Sequence, residues 1–359
     1  MPLPPRPLRK VAGPAATDGR IHGEAGMTMQ REAAKPTRRS LLLLAGAALA
    51  IPRALHAGQH PPLNVGVLEF GTVGWEIETI RRLGLDTAAG VQVTATRLAS
   101  NDAARIAFLG GGVDVIVTDL LWAARMRAEG RNLVFLPFSA TEGALMVPPA
   151  SAIAGVADLA AKAVGVAGGA LDKNWLLLQA YARRKADLDL ARAARPAFGA
   201  PPLLSQKLED GELDAALLYW NFCARLEAKG YRRIIGADEI TRSFGIAGPI
   251  AFIGYAFAER VVAGRPDAIR AFAAASRQAK QVLASQDEAW TALRPLMQAD
   301  DEATYQTLKR RFVEGIPGRA IGDEQADAAQ LYALLAELGG EKLVGAAKTL
   351  PDGLYWTGT

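Results

Sequence analysis

The sequence predicts an α/β chain of two lobes, each built round a largely parallel sheet, with a run of helices at the C-terminal end. Three observations predict it. The 359 residues exceed what one hydrophobic core usually organises. Strand and helix signals alternate from residue 63, and the alternation restarts after Pro148-Pro149. From residue 265 to 350 only helical spacing remains. Composition is that of a globular protein, with half the residues apolar and 22% charged, and no repeat period runs through the chain.

The net charge of +4 is concentrated at one end. Residues 1–57 hold nine basic and three acidic residues, a local +6 that leaves −2 for the rest. Nucleic-acid binding needs a concentrated basic surface, and residues 58–359 offer none by spacing, so no nucleic-acid partner is expected. Within the basic segment, Arg38 and Arg39 precede an eleven-residue apolar run over 41–51. A spanning helix needs about 20 apolar residues, so this run fits the core of a cleaved export signal. The arginine pair resembles the twin-arginine signal, although plain leucines follow Ser40 and Sec export stays open. Cleavage after Ala57 or Ala50 fits, and Met27 or Met29 lies closer to a normal leader start than Met1. The expected location is the periplasm. Cys223 is the only cysteine, which rules out an internal disulfide and reads as a buried thiol.

In the body, 63–68 is a short β-branched run ending at a Gly-containing loop, and 75–83 has helical spacing. Residues 91–97 alternate as a strand. Ser100-Asn101-Asp102 offers good N-caps for an amphipathic helix over 100–108, and 113–117 is a buried strand entered from the Gly110-Gly111-Gly112 turn. A helix over 120–128 and a strand over 133–138 follow. In the second half the pattern predicts a short helix at 158–161, a strand at 163–167, helices at 171–184 and 203–209, and strands at 213–219 and 251–257. Helices over 267–283, 301–313 and 323–338 complete the chain.

In an open parallel sheet a ligand sits beyond the carboxyl ends of the strands. That rule points to the loops at 70–75, 118–122, 139–143, 168–175 and 219–222. Trp75, Trp122, Trp175 and Trp220, four of the six tryptophans, fall within a few residues of predicted strand ends. Core packing accounts for any one of them; four together point to a ligand wall. Tyr219 and Asn221 flank the last. Asp119 suits either an amine-bearing ligand or the cap of the helix over 120–128.

Catalytic chemistry is sparse. All three histidines, His22, His56 and His60, lie at or before residue 60, so the body has no imidazole for a triad or a metal site. Neither a Walker loop nor a dinucleotide fingerprint follows a strand, and no cofactor or metal is expected. Glu69, Glu76, Glu78, Asp114 and Asp119 could in principle form a carboxylate pair, but Glu76 and Glu78 are two apart on one helix and do not face each other, and solvated faces account for most of them.

The stretches at 63–70, 110–115 and 151–153, followed by Asp158-Leu159-Ala160-Ala161-Lys162-Ala163-Val164-Gly165-Val166, resemble the substrate-binding proteins of the nitrate, sulfonate, taurine and thiamine-precursor importers. The entry at 211–216 and the Pro-started return helix within 258–270 are similar to the same family, over about residues 62–290, in order and spacing. The resemblance implies a type II periplasmic-binding-protein fold with two α/β lobes and two crossovers, near 139–147 and 241–252. It divides the chain into a leader at 1–57, a first lobe of 62–140 plus 250–359, and a second of 145–242. It implies a monomer that carries a small-molecule solute to an ABC permease and its ATPase, with contacts at Gly71, Thr72, Thr118, Asp119, Gly169, Asp172, Trp220 and Asn221. Only Lys173 is cationic among these places, which favours a planar or partly apolar organic molecule over nitrate or a sulfonate. A simple anion at the helix N-terminus after Gly168-Gly169 ranks second. Two alternatives remain: a periplasmic protein serving a sensor, and a pyrimidine-synthase-like enzyme, against which the leader and the missing imidazoles count.

Overall fold

The computed structural model describes residues 60–358 apart from Phe70. The expected leader at 1–57, with its cleavage points and start positions, lies outside the described residues.

Ten strands form two five-stranded sheets. They are β1 (Pro62–Leu68), β2 (Gln92–Leu98), β3 (Val115–Asp119), β4 (Val134–Ser139), β5 (Ala144–Val147), β6 (Ala163–Ala167), β7 (Arg195–Gly199), β8 (Ala215–Leu218), β9 (Arg232–Gly236) and β10 (Ile253–Phe257). The first sheet has the order β2-β1-β3-β10-β4 and the second β7-β6-β8-β5-β9. Within each sheet the strands joined by helices run parallel, as the periodicity predicts. The sheets are nevertheless mixed. β10 lies antiparallel between β3 and β4, and β5 lies antiparallel between β8 and β9. These are the two strands by which the chain enters a sheet from the other one, so they arrive without a helical crossover to set them parallel.

The fold is thus the type II arrangement of two α/β lobes, with crossovers at 140–143 and 244–252. Both crossovers are held by the C-terminal helices. Gly315, at the end of the helix Glu302–Glu314, accepts from the Ala140 amide at 2.8 Å, and the Thr141 hydroxyl donates to the Arg311 carbonyl at 3.0 Å. The helix Ile321–Gly339 receives the Ala251 amide on Glu324 and the Gly248 amide on Asp327, each at 3.1 Å. Gly143 fits because its backbone passes against Leu218: an added Cβ would stand 2.0 Å from that carbonyl oxygen.

Each sheet buries β-branched and leucine side chains under helices whose apolar positions recur at three and four residues. One polar cluster lies inside this packing and a second is partly buried. Glu76 is fully buried, not on a solvated face as its spacing suggested: it accepts from the Tyr255 hydroxyl at 2.9 Å and the Ser276 hydroxyl at 2.6 Å, and pairs with Lys280. The Lys280 ammonium also stands 4.9 Å from the Phe138 ring centroid. Burial lowers its pKa, with Glu76 opposing the shift. In the partly buried one, Glu227 of the helix Trp220–Ala228 takes a bidentate pair from Arg311 at 2.8 and 2.9 Å and a third bond from Arg233 at 3.0 Å. Among the described residues no helix is long and apolar enough to cross a membrane.

Candidate functional site

A cleft of about 850 Å³ opens between the sheets. Its walls are the loops beyond the carboxyl ends of the strands, each leading into a helix N-terminus. From the first sheet come Gly71 and Thr72 after β1, Ser100, Asp102 and Arg105 after β2, and Thr118, Asp119 and Trp122 at the end of β3. The crossover adds Thr141, Glu142 and Gly143. From the second sheet come Gly168, Asp172 and Lys173 after β6, Pro201 and Pro202 after β7, and Tyr219, Trp220, Asn221 and Phe222 after β8. Lys342 and Leu343 reach the rim from the C-terminal end.

Several helix N-termini around the cleft are already occupied by the chain's own side chains. Ser100 accepts from the Ala103 amide at 3.1 Å. Asp119 accepts from the Trp122 amide at 2.9 Å, and its other oxygen takes Arg105 at 2.8 Å. Of the two roles open to Asp119, capping is the one observed, with an ion pair added. Asp172 caps the helix Lys173–Ala186 through the Asn174 and Trp175 amides at 2.9 and 3.4 Å. The anion position expected after Gly168-Gly169 is therefore filled by a carboxylate. Pro201 and Pro202 bring no amide hydrogens to theirs.

Lys173 bonds Glu142 at 2.9 Å with both side chains nearly buried, and its ammonium lies 5.1 Å from the Phe252 ring centroid. Burial would lower its pKa, but Glu142, Asp172 and Asp119 outweigh burial and raise it. Asp172 is shifted upward, chiefly by burial, with Lys173 and its backbone donors opposing. Burial followed by the nearby Asp172 raises Tyr219 as well. Three buried polar atoms on the cleft-lining residues lack a hydrogen-bond partner: Thr118 Oγ1, Glu142 Oε1 and Arg105 Nε. Such atoms are costly unless a ligand or water meets them.

Of the residues singled out from sequence, Gly71, Thr72, Thr118, Asp119, Trp122, Asp172, Tyr219, Trp220 and Asn221 line one cleft. Gly169 stands beside it with φ +115° and is not in the wall. Trp75 and Trp175 are core residues, 4% and 2% exposed. Trp75 packs edge-on behind Trp220 at 6.0 Å and against Trp290 at 6.1 Å, whereas Trp175 packs on Phe198 at 6.3 Å. Each is the third residue of its helix and stays out of the cleft wall; Trp75 is held among helix-borne aromatic rings, Trp220, Trp290 and Phe312. Lys173 is the one cation of the loops named from sequence, but the cleft is lined by more than those loops: Arg105, Arg125 and Lys342 also reach it. Arg105 was legible in principle, since it lies three and four residues beyond the cleft-lining Asp102 and Asn101 on the same helix face. Lys342 carried no local signal.

No protein-family model matches the chain, and no curated protein matches it. Solved structures do. The aliphatic sulphonate binding protein SsuA of Escherichia coli superposes with a TM-score of 0.65 at 17% identity, over 83% of this chain and 92% of that one. The alkanesulfonate-binding SsuA of Xanthomonas axonopodis pv. citri, bound to MOPS, gives 0.59 at 16% over 84% and 99%. The desulfurization enzyme DSZB gives 0.55 at 15% over 82% and 97%. At these identities the likeness establishes the fold, which binding proteins and an enzyme share.

Proposed function

We propose that this chain is an exported solute-binding protein that carries a small organic molecule to an ABC permease driven by its ATPase. In this reading residues 62–140 with 250–359 form one lobe and 145–242 the other, and they close over the solute as a monomer in the periplasm once the leader has been removed. The observation that carries it is the cleft itself: strand-end loops of both sheets converge there, with Trp122, Tyr219 and Trp220 as apolar walls and buried polar atoms left for a ligand to satisfy. Trp75 stands behind Trp220 and holds it in place. Residues Gly71, Thr72, Thr118, Asp119, Asp172 and Asn221 supply polar contacts, with Gly169 allowing the turn into Asp172.

A binding role fits the chemistry better than catalysis. His60, at the start of the described chain, is not among the residues that line the cleft. Burial pushes the Cys223 thiol up to about 11, so it is protonated at neutral pH and is no nucleophile. The solute-binding roles of the structurally similar sulfonate-binding proteins favour the same reading. The test is a thermal-shift screen of the mature chain against pyrimidines, aromatic acids, alkylsulfonates, nitrate and amines. A ligand at a hundred times its dissociation constant stabilises by about 2.7 kcal/mol. Binding without turnover supports the proposal; chemical conversion of a ligand by the purified protein refutes it.

A further inference from the structure

The ligand's charge can be inferred from how the cleft distributes its own, an inference that rests on the solute-binding reading. Four bases line the cleft, Arg105, Arg125, Lys173 and Lys342, against four acids, Asp102, Asp119, Glu142 and Asp172. A receptor for a bare anion needs an excess of free positive charge or unfilled amide donors; the helices Val73–Arg82 and Trp220–Ala228 do start at the cleft without a side-chain cap, but round Lys173 the balance is the opposite. Arg105 is bound by Asp119 at 2.8 Å and Lys173 by Glu142 at 2.9 Å. Asp172 is left over, and it also fills the helix N-terminus that an anion would use. One ammonium, Lys173, thus sits in the field of three carboxylates drawn from the first sheet, the crossover and the second sheet.

The second observation is Glu142. Its side chain is nine-tenths buried on the cleft wall, one oxygen engages Lys173, and Oε1 has no hydrogen-bond partner. A carboxylate oxygen only accepts. Asn174 Oδ1, beside it on the helix that Asp172 caps, is likewise buried and unpartnered, and the Asn174 amide nitrogen lies 3.4 Å from Glu142. Although Arg105 Nε on the facing wall is a donor without an acceptor, the unpartnered oxygens nearest Lys173, Glu142 Oε1 in the cleft wall and Asn174 Oδ1 behind it, call for N–H groups. Aromatic faces at Tyr219, Trp220 and Phe222 suit a cation as well as an apolar body.

We propose that the solute presents a protonated nitrogen, of the amine or amidine class, to Glu142 and Asp172, with an apolar or aromatic body lying against Trp220 and Trp122. The site thereby selects against the small anions and simple sulfonates that a sulfonate receptor would take.

Calorimetric titration of the full chain with matched probes tests this: benzamidinium and benzylammonium against benzoate and benzenesulfonate. The cations should bind at least about tenfold more tightly than their anionic counterparts. Glu142→Gln and Asp172→Asn, each keeping side-chain shape and the latter keeping a good N-cap, should each weaken the cations by about tenfold and leave benzenesulfonate unchanged or stronger. The comparison within the unsubstituted chain decides charge preference even where a variant fails to fold, which circular dichroism would reveal. Benzenesulfonate or benzoate binding in place of the cations, or unaltered cation affinity in both folded variants, overturns the inference while leaving solute binding intact. Silence from all four probes overturns the inference, and if the wider ligand screen is equally silent the solute-binding reading falls with it.

Discussion

Replacing Glu76 by leucine probes the most deeply buried charge pair in the described chain. The carboxylate joins three elements: the helix Val73–Arg82 that carries it, β10 through Tyr255, and the helix Pro266–Ser285 through Ser276 and Lys280. Glu76→Leu would leave the Lys280 ammonium, 7% exposed, without a counter-charge. Breaking a buried pair from one side costs about 3–5 kcal/mol. The Tyr255 hydroxyl loses its acceptor too, which adds roughly 1–3 kcal/mol where no water replaces it. A loss near 5 kcal/mol is a large share of the roughly 5–15 kcal/mol that holds a domain folded. Glu78, two residues along the same helix, is an internal control: its side chain is 41% exposed and its contact with Arg81 spans 3.9 Å. Glu78→Leu should change stability by less than about 0.5 kcal/mol. The double variant Glu76→Leu with Lys280→Met should regain most of the loss, because an apolar pair of similar volume needs no desolvated charge. Urea unfolding followed by circular dichroism measures all three. A Glu76→Leu midpoint within about 1 kcal/mol of the parent, or a double variant as unstable as the single one, would refute the reasoning.

Further outcomes are expected. Intrinsic fluorescence should respond to bound ligand through the cleft-lining Trp220, so Trp220→Phe should remove most of the change and Trp175→Phe, in the core, should not. Burial would raise the Glu227 carboxyl, but hydrogen bonds from Arg311 and Arg233 outweigh it and hold the group below the usual glutamate range. Its stabilising share is therefore complete above about pH 4.5 and lost as pH falls through the lowered value, so Glu227→Gln should reduce the melting temperature at pH 7 more than at pH 3. Cys223 should resist a thiol reagent in the native protein and react fully in urea; fast native labelling would contradict its burial. Gly143→Ala should give insoluble or markedly less stable protein, since the added methyl meets the Leu218 carbonyl backbone, which cannot swing aside.

The alternation of strands and helices was legible because helix-joined strands announce themselves twice, by period and by connection. The strands that escaped were β5, β7 and β9. Each is only four or five residues long, β7 contains Pro196, and β9 begins with Arg232-Arg233, so none displays a clean alternation. The cleft loops were likewise findable from the rule about strand ends. Which way the first helical turn faces was not: Trp122 lies in the cleft wall and Trp75 in the core, although each is the third residue of a helix that follows a strand. Charge pairing across the chain, as between Lys173 and Glu142 or Glu76 and Lys280, depends on elements brought together from distant positions and leaves no local trace.

The place of β10 governs the order in which the molecule can be completed. β4 has no direct pairing with β3; the slot between them belongs to a strand separated from β4 by residues 140–252. A ribosome would therefore release β4, with its apolar Val134, Phe135 and Phe138, long before the partner that covers its edge exists. Until then that edge is open to mispairing, and closing a loop of this length slows assembly. The second sheet, whose five strands lie consecutively in 144–236, has a shorter wait, that of β5 for β8 and β9. It should ripen first and present the finished return strand to the half-built first sheet, so that the beginning of the body is among the last parts to become native.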